Sequence, residues 1–317
     1  MSPGRESPEP ELSVVIVAGN WRVRARRALE SALSQEIHGS LEVLVIDLGQ
    51  DPNAPLLEAP DHRVRVIPMP PSAHFGEARA HAVRLARAPV IAFLEEHCRA
   101  RPGWASGLLA AHREAWACVG STVYSMNPGV GWSDAVYLLG YAQWIPPAVA
   151  GEAAAAAAHN SSYKRASLEP LMDRLPLLLL LEPLLQQALV QRGERIFFQP
   201  SSGFEHQNET NLRSLRVYYW WNRCLGRERW AAQPALFVRK LIYTLLSPLA
   251  PWVRSLRDLT RLWRRRRELA QRYLYHLPRI LVLHYVATLG LVVGSWTGAP
   301  SDDLHFTNLE LRGETDR

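Results

Sequence analysis

The stretch FGEARAHAVRLARAPVIAFLEEHCRARPGWASGLL, residues 75–109, decides the fold. A helix-period segment from Gly76 through Arg87 runs into a short apolar strand, Pro89 to Leu94. That strand stops on Glu95, Glu96 and His97, and Pro102-Gly103-Trp104 opens the next helix. In an open parallel α/β sheet, ligands bind at the carboxyl edge of the strands. Carboxylates and an imidazole at that edge face the crevice, where they are placed to hold a metal or meet a phosphate-bearing donor. Taken alone, a strand ending in charged residues is as readily a strand leaving the core, so the rest of the chain decides.

Upstream, Leu12 to Ala18 is a β-branched run followed by Gly19-Asn20, and Trp21 to Gln35 has apolar residues at helical spacing. Leu41 to Leu48 predicts a second strand reaching Asp47 and Gly49, and Arg63 to Pro68 a third. This alternation implies parallel strands joined by right-handed crossovers. Downstream, Ala117 to Tyr124 predicts another strand, and the alanines from Ala153 to Ala158 read as a helical turn or a lid edge. They lead into a polar cluster from His159 to Arg165. The leucines Leu177 to Leu181 end at Glu182-Pro183, where Pro suits a helix start and Glu the amino-terminal dipole. That helix ends at Gly193. Arg195 to Gln199 then predicts a short strand, with Pro200 and a loop to His206.

Beyond Asn211 the chain turns helical: Arg213 to Leu225, Pro234 to Leu249 and Val253 to Leu277, with breaks near Gly226, Pro248 to Pro251 and Pro278. Ile280 to Val293 is apolar but interrupted by His284 and Gly290, and falls short of the ~20 residues a spanning helix needs. Interfacial or re-entrant placement is expected there. Met1 to Pro10 and Ser301 to Arg317 read as polar tails.

A chain of 317 residues can bury a full core, as one large domain with an appendage or as two small domains. Cys98, Cys118 and Cys224 are odd in number and lack CxxC spacing, which argues against a disulfide framework or a structural zinc site and favours a reducing compartment. Residues 213–279 carry 16 Lys and Arg against only Glu228, Asp258 and Glu268, so the remainder is net acidic. The same segment holds five of the 11 Trp and five of the 10 Tyr. Rings, cations and aliphatic runs together suit an anionic membrane surface. The helices are too apolar for a solvated groove binder, so nucleic acid is not expected as a partner.

In order, these features resemble the family 2 glycosyltransferases of GT-A fold, over roughly Glu11 to His206. The resemblance implies an α/β, Rossmann-like, mostly parallel sheet flanked by helices. Its expected domains are a tail (1–10), the GT-A domain (11–210), a helical, basic-aromatic, membrane-associating region (211–300) and a polar tail (301–317). Asn20, Asp47, Arg79 and Glu95 fall on donor-binding positions. Glu95-Glu96-His97 stands where the family has Asp-x-Asp, so Glu95 and His97, with His206, are the expected ligands of a divalent metal, Mn or Mg. An imidazole suits manganese or zinc better than magnesium. Asn160, Lys164 and Arg165 match the acceptor-side segment, and Glu182 falls on the general base.

The implied reaction is inverting transfer of a hexosyl group from a nucleotide sugar to a hydroxyl acceptor. The expected acceptor is lipid-linked or polysaccharide, as in cell-envelope synthesis, at the cytoplasmic face of the membrane. Attachment would be peripheral or through a marginal carboxyl-terminal segment. Leu48, Ala80, the Glu-x-His pair and Glu182 depart from the family pattern, and they motivate an alternative: a non-catalytic nucleotide-sugar-binding or scaffold protein on the same fold.

Overall fold

A computed structural model of the chain describes residues 9–49, 56, 61–231 and 237–313. In chain order its elements begin β1 (Leu12–Ala18), α1 (Arg22–Leu33), β2 (Leu41–Asp47), β3 (Val64–Pro68), α2 (Phe75–Leu85) and β4 (Val90–Phe93). There follow β5 (Cys98–Ala100), α3 (Trp104–His112), β6 (Cys118–Ser125), α4 (Gly131–Tyr141), β7 (Gly151–Ala153) and β8 (Ser162–Lys164). The last group is α5 (Arg165–Leu168), α6 (Leu175–Leu180), α7 (Glu182–Gln191), β9 (Ile196–His206), α8 (Arg213–Ala231), α9 (Phe237–Leu246), α10 (Ala250–Arg265), α11 (Arg267–Thr297) and α12 (Ser301–Thr307). The chain divides into two compact units, one running to Tyr124 and resuming at Trp144–His206, the other formed by Ser125–Gln143 and Gln207–Arg317.

The first unit is built on a mixed sheet in the order β3-β2-β1-β4-β8-β6-β9-β5, with β7 paired to β9. The strands β3, β2, β1 and β4 are mutually parallel, while β8 pairs antiparallel with both β4 and β6. β1 and β4 are buried along their whole length and β2 up to Asp47, which is why their sequences are continuous apolar runs rather than alternating ones. β3, at the edge, is only partly buried and ends on Pro68, whose missing N–H costs least there. Helices α1 and α2 pack on β1, and α3 packs on β9. The expected α/β class, with flanking helices and a helical carboxyl-terminal region, is what the structure has.

Several boundaries differ from the sequence reading, each through packing. The alanine run starts in β7 instead of a helix, and Ala156 and Ala157 are buried in the following loop. β9 continues through Pro200 to His206 because Ser202 and Phe204 are buried and Ser202 bonds Ser121 and the Trp104 carbonyl.

In the second unit, α8 runs through Gly226 unbroken, and the glycine serves close packing there, since a Cβ would strike the Leu291 backbone of α11. Gly290 and Gly294 are pressed equally closely onto Tyr219 and Arg223 of α8, so small residues four apart let two helix backbones meet. The break expected at Pro278 falls at Arg266 instead. Tyr273, His276, Ile280, Leu283 and Ala287 keep one buried face in register across the proline, and that packing offsets the ~3 kcal/mol a mid-helix Pro costs.

The expected tail from Ser301 is helical as far as Arg312, with 314–317 outside the described residues. Arg223 and Arg227 of α8 pair with Asp302 and Asp303 at 2.9 Å each, and Phe306, Leu309 and Leu311 are buried. The polar residues that suggested a tail are the anchors of the helix. Of the expected amino-terminal tail, residues 1–8 lie outside the described residues, as do 234–236 of the helix expected from Pro234.

Two outcomes follow. Gly294→Val forces α8 from α11 and lowers unfolding stability by at least about 1–3 kcal/mol, whereas Gly151→Ala, which meets open space, changes it little in the same denaturant titration. His112, buried and bonded to Ser162 at 2.9 Å, has its pKa pushed down to about 4 by burial. Between the unfolded value near 6.5 and about 4, the unfolded chain binds the proton and the fold does not, so stability falls as pH drops, by up to about 1.4 kcal/mol per unit. His112→Gln removes that share of the slope in unfolding measured across the window.

Candidate functional site

The site gathers at the carboxyl edge of β4, where the chain reverses in a tight turn. The Cys98 N–H bonds the Glu95 carbonyl at 2.9 Å, closing a four-residue turn that carries Glu95, His97 and Cys98 together. β5 then pairs antiparallel with β9 in a register that sets Cys98 opposite His206. A residue 109 positions away in sequence is thereby delivered to the turn, with the Nε2 atoms of His97 and His206 at 2.9 Å. Each lies near Glu95 Oε2, at 3.7 and 3.8 Å. Donor atoms of Glu95, His97, Cys98 and His206 all fall within 4.8 Å of one another.

The donor set fits a divalent ion. Ligand atoms about 2.0–2.1 Å from a tetrahedral centre stand roughly 3.3–3.4 Å apart, and the spacings here bracket that value. One carboxylate and two imidazoles match manganese or zinc better than magnesium. Cys98 adds a thiol that the sequence reading had set aside; burial, with the Glu95 charge, pushes it well above its ordinary pKa. The signal available in sequence was its place beside His97 in the turn.

Glu95 is held by Asn160, whose Oδ1 accepts the Glu95 N–H at 2.9 Å and whose Nδ2 donates to Glu95 Oε2 at 2.5 Å. Asn160 is in turn set by His159, a non-glycine residue at φ 70°. The His159 N–H bonds Glu182, and its carbonyl accepts from Arg79 at 2.6 Å. Arg79 and Glu182 are both buried, paired at 3.1 Å, with Arg79 also stacked over Phe75 and Phe93. An arginine only donates, so the 2.9 Å contact from Arg79 makes His159 Nδ1 an acceptor. The His159 pKa is accordingly held well below its ordinary value, by burial first and the Arg79 charge second.

The structure places four expected residues in surroundings other than those read from the sequence. Arg79, expected as a donor contact, is buried against Glu182 and His159. Glu182 is fully buried and its oxygens are taken by Tyr163, the His159 N–H and Arg79, so no oxygen is directed to an acceptor hydroxyl. Desolvation pushes its pKa up. Lys164 and Arg165 are at the opposite rim from Asn160, because β8 runs antiparallel to β4 and sets Lys164 across from Val90, at the start of that strand. Lys164 Nζ bonds the Glu114 carbonyl at 2.5 Å, and Arg165 bonds the Ala86 carbonyl. One seven-residue cluster thus crosses the sheet.

Of the remaining candidates, Asn20 is exposed in the turn after β1, and Asp47 ends β2 on the same edge. Arg22 grips Asp47 through two bonds of 2.7 and 3.0 Å, and the Gly49 N–H adds a third at 2.8 Å. Glu96 does not face the crevice: it is buried, and it takes the Gly19 N–H at 2.8 Å and Arg24 at 2.7 Å, tying the end of β1 to that of β4. The sequence reading missed Arg22 and Arg24. Their signal was two arginines in the first turn of α1, where the helix dipole disfavours cations unless acids lie nearby.

The sequence model of the family described as Glycosyl transferase family 2 matches residues 13–171, half of the chain. Among solved structures, that of GalNAc-T7 with UDP, GalNAc and Mn2+ aligns with a TM-score of 0.49 and 16% identity, over 70% of this chain and 48% of that one. No curated protein matches the sequence.

Glu182→Ala leaves Arg79 buried without its partner and is expected to cost about 3–5 kcal/mol in denaturant unfolding. Combining Arg79→Met with Glu182→Leu should recover only part of that loss, because the His159 backbone groups and the Tyr163 hydroxyl are then left without these partners. A carboxylate acting only as a base would leave stability unchanged on removal.

Proposed function

We propose, from the premise that the chain belongs to glycosyl transferase family 2, that it moves a sugar from a nucleoside-diphosphate sugar to a hydroxyl acceptor. The observation that carries this reading is the convergence of Glu95, His97 and His206 at the carboxyl edge of a central parallel strand, where α/β sheets bind ligands. These three side chains would hold a divalent ion, manganese or magnesium, with the imidazoles favouring manganese. Such an ion supplies positive charge against the departing diphosphate. Asn20 and Asp47, at the ends of β1 and β2, are assigned to the donor. Asn160 orients Glu95, and Arg79 acts through Glu182 and His159 as a positioning residue. Lys164 and Arg165 hold the far rim of the sheet.

The finer reading is hexosyl transfer with inversion to a lipid-linked or polysaccharide acceptor at the cytoplasmic face of the membrane. What supports it is the second unit, basic and aromatic in composition, whose α11 is 31 residues long and apolar enough to cross a membrane.

Thermal stabilisation by a panel of nucleotide sugars, with and without Mn2+, is expected to single out one donor. Its hydrolysis without acceptor should fall at least about 100-fold in Glu95→Ala, the scale of losing one charge-stabilising group. No stabilisation by any donor would refute the proposal. A donor that stabilises but is never cleaved would mark a binding scaffold instead.

A further inference from the structure

Helices α9 and α10 present an apolar row that stays exposed among the described residues of their unit. Val238, Leu245, Leu249, Trp252, Leu256 and Trp263 recur at helical spacing and are between 48% and 69% exposed. The row continues through the short 3-10 turn Ser247–Leu249 that joins the two helices. Ser255 and Leu262 of α10 are buried, and α10 packs on α11. Apolar rows of this length are rarely left to water.

We propose that this face seats in the headgroup layer of an anionic lipid bilayer, with α9 and α10 lying in the plane of the membrane and α11 serving as their support. The inference rests on the membrane-surface reading above and deepens it. Charge chooses the occupant: Arg239, Arg257, Arg261, Arg264 and Arg265 are exposed along the same two helices, and Asp258 is the one acid among their described residues. Cations beside an apolar row match lipid phosphates above acyl chains. A second copy of the chain would bring like-charged arginine rows together.

Aromatic placement agrees. Trp252 exposes its ring while its indole N–H bonds the Tyr285 hydroxyl at 2.7 Å, the half-wet arrangement of interfacial tryptophans. Trp296 of α11 similarly donates to Thr244 of α9 at 2.9 Å. The glycine packing of α11 against α8 gives that helix a partner within its own unit.

The test uses the full-length chain and vesicles of phosphatidylcholine, with or without phosphatidylglycerol. Expected are sedimentation with the anionic vesicles, partial retention at about 1 M salt, where screening acts within ~3 Å, and quenching of tryptophan fluorescence by brominated lipid. Leu245→Asp and Leu249→Asp should each lower partitioning about tenfold or more, with the thermal transition kept because both positions are exposed.

Three outcomes would overturn the inference: no binding to either vesicle, binding unaffected by both Asp variants, or a dimer in sedimentation that those variants dissociate. Donor hydrolysis without vesicles reports on the enzymatic reading separately, so either conclusion can fail while the other stands.

Discussion

The first unit depends on a buried ion pair, Arg79 with Glu182, that touches no candidate ligand itself. An arginine and a glutamate withdrawn from water each carry a desolvation cost of several kcal/mol, tolerable only when their donors and acceptors are filled. Here they are filled by His159 through both its backbone polar groups, by its ring nitrogen and by the Tyr163 hydroxyl. The pair therefore fixes the backbone of one loop residue in a left-handed conformation that a histidine would not otherwise prefer. From there the constraint passes to Asn160 and so to the Glu95 carboxylate. Precision at the rim is inherited from the core.

Charge at the carboxyl edge is divided between fixing and binding. Glu96 and Asp47 face Arg24 and Arg22, which tie the strand ends to the first turn of α1. Glu95 is left to face two imidazoles and a thiol. Three acids at the ends of β2 and β4, which flank β1, would repel one another; the two α1 arginines neutralise two of them and leave Glu95 among the imidazoles.

The second unit solves a different problem, packing long apolar helices without a sheet. Glycines four apart let α11 lie directly on α8, and arginines of α8 hold α12 through Asp302 and Asp303. Backbone contact there replaces the side-chain interdigitation of an ordinary core. With one face of α11 so engaged, apolar side chains remain exposed on α9 and α10 and also on α11 itself, at Leu274, Val282 and Leu289.

Residue order determined a good deal by itself. The buried strands β1, β2 and β4 and the helices between them are written as β-branched runs and helical periods, because burial on both faces leaves few positions for a polar residue; Ser13 and Glu42 are tolerated there by bonding each other at 2.7 Å. Glu95, His97 and His206 were likewise legible as ligand types near strand ends. Hidden from sequence was the direction in which β8 crosses the sheet, a matter of hydrogen-bond pairing between segments far apart in the chain. That pairing alone decided that Asn160 belongs to the site while Lys164 and Arg165 belong to the opposite rim. Burial was hidden too: Glu182 and Glu96 look like any acid in one dimension, and only the packing around them made one the partner of Arg79 and the other a clamp between strands.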